Sequence, residues 1–155
     1  METDEDVLRE VKAAVFNAGV IPARAYVEFF AEAMRWPVDA LAPQTVHTSS
    51  DTEHRVAWLK SNEIGMAVCI PGGEKPILYA TVRPLTSATR AEVGALVKDD
   101  GFSPTVVRSL TVHFVDGDPL IVDLATFSTW TQRQQADAFI DAVLSALSES
   151  RLVNP

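Results

Sequence analysis

The chain has 155 residues, 47% of them hydrophobic and 22% charged, with a formal net charge of -8 and a pI near 4.8. A domain of this size buries roughly two-thirds of its unfolded surface, so it needs neither disulfides nor a metal to hold a core. The negative balance repels phosphate backbones and anionic head groups, which sets nucleic acid and membrane surfaces aside as partners. No apolar run approaches the ~18 residues of a membrane span, and the opening METDEDVLRE is acidic where a secretory leader is basic and then apolar. The expectation is a cytoplasmic protein without stable membrane association. Cys69 is the lone cysteine, which leaves no disulfide framework and no multi-cysteine metal site within one chain.

The first 40 residues read as two helices. Thr3 is placed to cap the first, with Asp4, Glu5 and Asp6 at the positive end of its dipole. Val7, Leu8, Val11, Ala14, Val15 and Ala18 then form one apolar stripe, which Gly19 ends. Pro22 suits the first turn of the second helix, where Ala23, Tyr26, Val27, Phe30, Ala33 and Met34 share a face and Pro37 closes the element. This N-terminal helical hairpin occupies residues 1–42, packed on or beside the unit formed by 45–150.

From about residue 45 the period shifts from 3.6 to 2. Val56–Lys60 and Ile64–Ile70 are two short strands around Ser61-Asn62-Glu63, PGGEKP is a turn, and ILYATVRPL is a third strand stopped by Pro84. The stretch TSATRAEVGALVKDDG carries two signals. Its Ala, Arg, Glu and Leu favour a helix, while Val93, Ala95 and Val97 alternate as a strand does.

VRSLTVHFVDGDPLIVDLATF reads as a hairpin. Leu110, Val112 and Phe114 share one face, as do Leu120, Val122 and Leu124. Bringing the two triplets to one side sets Phe114 opposite Leu120, with Asp116, Gly117 and Asp118 as the loop and a bulge near Pro119. Thr129 and Gln132 then form a capping box for a last helix, whose stripe is Ala136, Phe139, Ile140, Val143, Leu144 and Leu147.

Over residues 53 to 147, the order of short strands, VRPLTSATRAEV, a long strand, DG, a strand and ADAFIDAVLSAL resembles the pleckstrin-homology-like superfamily, in particular its small bacterial members. The resemblance implies an α+β fold: a strongly bent antiparallel sheet, a partial barrel, capped by the C-terminal helix and preceded here by the N-terminal hairpin. Lipid-binding members carry several Lys and Arg around their first hairpin, whereas this chain has Arg55 and Lys60 beside Glu53 and Glu63. If residues 86–100 are instead helical, the order resembles the small acidic secretion chaperones.

Candidate chemistry is sparse. His47 and His54 flank TSSDTE, which contains Asp51 and Glu53, but the spacing of the four matches no recognised metal site, and a polar connecting loop is the simpler reading. His113 alternates with core residues and points away from them, and Cys69 in an apolar strand is a small buried hydrophobe. PGGEKP lacks the spacing of a phosphate loop. No catalytic, cofactor or metal residue is assigned. Tyr26, Phe29, Phe30 and Trp36 exceed what one helix face needs, so they either dock on the sheet or mark an interface. The functional expectation is a non-enzymatic protein-interaction or scaffold module, with another protein or a second copy of the chain as partner. The alternative is a small acidic chaperone-like or inhibitor-like binder.

Overall fold

A computed structural model describes residues 4–16, 22–47, 51–72, 75–99, 101 and 104–153. Two helices, α1 (Glu5–Val15) and α2 (Arg24–Met34), precede a four-stranded antiparallel meander, β1 (Ala40–His47), β2 (Thr52–Lys60), β3 (Glu63–Ile70) and β4 (Ile77–Pro84). A 3-10 turn at Leu85–Ser87 leads to a three-stranded meander, β5 (Ala88–Asp99), β6 (Pro104–Phe114) and β7 (Leu120–Asp123), and then to the long helix α3 (Trp130–Val153). The fold is α+β with an N-terminal helical pair and a C-terminal helix, as expected. Its strands are divided between two sheets, and no barrel closes.

The four-stranded sheet is the middle layer. Strand alternation sends Val56, Trp58, Ala67 and Cys69 to one face, where they meet Leu8, Val11 and Val15 of α1 and Val27, Phe30 and Met34 of α2. Their neighbours Ala57, Leu59 and Ile64 turn to the opposite face. There they join Leu110, Val112, Leu120 and Val122 of the second sheet and Ala136, Phe139, Ile140 and Val143 of α3. Being covered on both sides is why β2 and β3 read as nearly continuous apolar runs rather than as alternating ones. Each large side chain buried in these two cores removes apolar area worth about 1.5–3 kcal/mol from water.

Local chemistry sets the element ends. The side chain of Asp4 caps α1 by accepting from the amide of Asp6 at 3.0 Å; Thr3, Ala18 and Gly19 lie outside the described residues. The second helix starts at Arg24, two residues past Pro22, and ends where Arg35 turns left-handed at φ 52. Thr129 caps α3, accepting from the amide of Gln132 at 3.2 Å.

Two sequence expectations are corrected, and the open reading of residues 86–100 is resolved. The division between 42 and 45 falls inside β1, because Pro43 sits in an outer strand, where a residue without N–H is tolerated. Residues 88–99 are strand: eleven pairings with β6, from Ala88↔Phe114 to Asp99↔Pro104, override the helix-forming composition, and the chaperone-like element order is not formed. Finally, Val112, not Phe114, opposes Leu120, so His113 and Phe114 of β6 pair with β5 alone; the β6–β7 pairing is regular, and the register shift lies in the β5–β6 pair, between Ala88 and Arg90. A shift of two residues keeps every side chain on its expected face, and both triplets are buried.

Candidate functional site

The residues singled out in the sequence are largely absorbed by packing. Phe30 is fully buried, with its ring edge-on to Phe16 at 5.6 Å. Tyr26, Phe29 and Trp36 are half-buried against the helix-side core, and the Trp36 indole donates to Glu10 Oε2 at 2.8 Å. His54 stands in β2 and is buried rather than in a polar loop. Its Nδ1 lies 3.4 Å from Thr45 Oγ1 and its ring packs on Phe16 at 4.9 Å. Burial, and secondarily the neighbouring His47, holds its pKa below the ordinary histidine value and so favours the neutral imidazole. His47, Asp51, Glu53 and His54 do not converge, and among the described residues no group of three His, Cys, Asp or Glu side chains could hold a metal ion. His113 is half-buried, between Arg90 at 3.3 Å and Glu92 at 3.6 Å. Burial pushes the Cys69 thiol up to about 11, which keeps it protonated and inert at neutral pH.

Among the described residues packing leaves two outer strands exposed, the far half of β5, with Val93, Leu96 and Val97, and β4, which is exposed along nearly its whole length. Six consecutive residues, Ile77–Val82, are exposed, so the strand is bare on both faces. Its inner edge is fully paired with β3, from Glu63↔Pro84 to Ile70↔Ile77, and among the described residues nothing pairs with its outer edge. Ile77, Tyr79 and Val82 are 50%, 51% and 44% exposed. An edge strand that is this long, apolar and uncovered is the kind that natural proteins shield or use. The neighbouring helices leave its side chains exposed: α1 lies on β1 and β2, and α2 reaches β3 and β4 without covering the outer strand.

Beside β4, on the face away from the helices, a groove of about 290 Å³ opens toward the β6–β7 connection. Ile64 and Met66 belong to its wall on the β3 side, and Pro119 and Leu120 to the opposite one. Arg83 bridges the two. Its guanidinium stacks over the Phe114 ring at 4.3 Å from the centroid and donates to the Asp118 carbonyl. Gly117, at φ 85, turns the connection and leaves room for that guanidinium, which a Cβ would meet at 2.7 Å. Lys75 and Arg83 flank a strand without a single carboxylate, in a chain with a net charge of -8.

Sequence reasoning identified β4 as a strand but not as a bare one. The signal that could have singled it out is its place before Pro84, at the end of the first meander, where a fourth strand has no successor to pair with. No helix among the described residues is long and apolar enough to cross a membrane. Comparison of the chain with family models, curated proteins and solved structures finds no match in any of the three.

Proposed function

We propose that this chain is a non-enzymatic protein-interaction or scaffold module that engages its partner through the β4 edge. The observation that carries this reading is the run of six exposed strand residues whose outer edge pairs with nothing among the described residues. Such an edge offers main-chain hydrogen bonds to an added strand, with alternating side chains to give specificity. Membership of the pleckstrin-homology-like superfamily is part of the proposal; a four-strand meander followed by a three-strand meander and a terminal helix supports it. So is a cytoplasmic location with neither nucleic acid nor lipid as partner, supported by the net charge of -8.

Photo-crosslinking in native extract tests the reading. A photoreactive residue in place of Tyr79 is expected to form protein adducts that the same residue in place of the exposed Asp116 does not. Equal adducts from both positions, or none from position 79, would reject an interaction through β4.

A further inference from the structure

We infer that the partner of β4 is the β4 strand of a second copy, paired antiparallel across a two-fold axis at Ala80, which joins two four-stranded sheets into one of eight strands. The inference builds on the interaction reading and commits it to one occupant.

Symmetry restricts the pairing. A two-fold axis perpendicular to a sheet makes the new pair antiparallel and keeps corresponding faces on the same side, so residues opposite one another across the seam must have equal parity. Centring the axis on Ala80 sets Leu78 opposite Val82 and Tyr79 opposite Thr81, with Arg83 against Ile77. Moving the axis to Tyr79 would set Lys75 against Arg83, a repulsive like-charge pair. The Ala80 register therefore matches apolar to apolar on the helix side and puts no like charges opposite.

The helical layer supports the same occupant. Arg24 of α2 pairs with Glu5 of α1 at 2.6 Å, which fixes the flank of α2 that looks toward α1. On a helical wheel Tyr26, Phe29 and Ala33 fall on the opposite flank, toward the β4 edge, and all three are only half-buried. The end of α2 is held at the β2–β3 turn by contacts of Arg35 with Glu63 and Lys60, and the helix contacts both β3 and β4. With strands about 4.8 Å apart, a helix centred over β3 and β4 lies about 10 Å from its two-fold mate. That is the spacing at which two helices pack. Pairing the β4 edges thus also brings the two Phe29-bearing flanks together over Leu78 and Val82. The seam uses about a dozen residues a side, below the 20–30 of a standard interface, the size class of weak, reversible associations.

Sedimentation velocity of the full chain, together with charge variants at the axis, provides the test. A residue on the axis faces its own counterpart, so Ala80→Lys and Ala80→Glu each place like charges in contact and weaken self-association at least about tenfold. An equimolar mixture of the two variants is expected to dimerise again, because only the mixed pair sets opposite charges at the axis. Ala80 is exposed, and circular dichroism confirms the fold of each variant. Should either variant fail to fold, Leu78→Glu with Val82→Lys in one chain serves instead: each single change weakens the dimer and the double restores it. A monomeric wild-type protein at high micromolar concentration would overturn the inference, as would a dimer indifferent to these changes. In either case adducts from position 79 to a different protein would leave the interaction reading standing.

Discussion

β3 and β4 are neighbours in one sheet, each eight residues long and each rich in apolar side chains, yet β3 is buried almost throughout and β4 is exposed along nearly its whole length. Composition does not separate them; position does. β3 lies between the helical pair and the second sheet, and both cores run through it. β4 lies one strand further out, where α2 and the second sheet touch it only at their margins and neither buries it. The same alternation that gives β3 two buried faces gives β4 two bare ones.

The contrast is sharpened most by removing side chains on either side of it. Trp58, 1% exposed in the helix-side core, is expected to cost about 3–5 kcal/mol as Trp58→Ala. Tyr79→Ala in dilute protein should stay within about 0.5 kcal/mol, since no core is opened. Urea denaturation of both variants decides the matter, and similar losses would mean that β4 belongs to the core after all.

A smaller effect comes from Gly65. The Trp58 ring lies directly against it, and an added Cβ would come within 2.3 Å of the ring. Gly65→Ala is expected to cost about 1–3 kcal/mol through overpacking, measured in the same denaturation series.

The pH dependence of stability should be weaker still, and it has a definite sign. With its folded pKa below the ordinary value, His54 binds a proton more readily in the unfolded chain. Its stabilising contribution is intact above about pH 6.5 and is lost as pH falls from there toward the folded value. His54→Gln should flatten the fall in melting temperature across that window relative to wild type. Equal slopes would show that burial of His54 is not what makes the fold acid-sensitive.

The smallest expected signal is chemical. Cys69 is fully buried with its thiol pKa pushed up to about 11, so a thiol reagent should label native protein only as fast as the sheet opens. Rapid labelling under native conditions would place a fluctuation at β3.

These contrasts also explain what could be read from the sequence and what could not. Helical stripes such as Leu8, Val11 and Val15, or Phe139, Ile140 and Val143, were legible because amphipathic periodicity is local, and both sets are buried. The faces of the β6–β7 hairpin were legible because parity is local, whereas its register was not: a shift of two residues preserves parity and leaves no trace in the pattern. Residues 88–99 carry helix-forming composition that long-range pairing with β6 overrides. β1 was missed because Pro43 and the short ALAP stretch resemble the end of a helix rather than an outer strand. The candidate aromatics Tyr26, Phe29, Phe30 and Trp36 were found by type, but which flank of α2 stays open depends on where α1 docks. The bareness of β4 is likewise a property of the layers around it, and ILYATV reads the same whether covered or not.

Hydrogen exchange at the β4 amides, followed as a function of protein concentration, tests the central claim most directly. The β4 edge, if it is a seam, has outward amides that exchange rapidly in dilute protein and gain protection in step with the dimer, while β3 amides remain protected throughout. Protection of β4 that is independent of concentration, or absent at the highest concentration reached, would contradict the account.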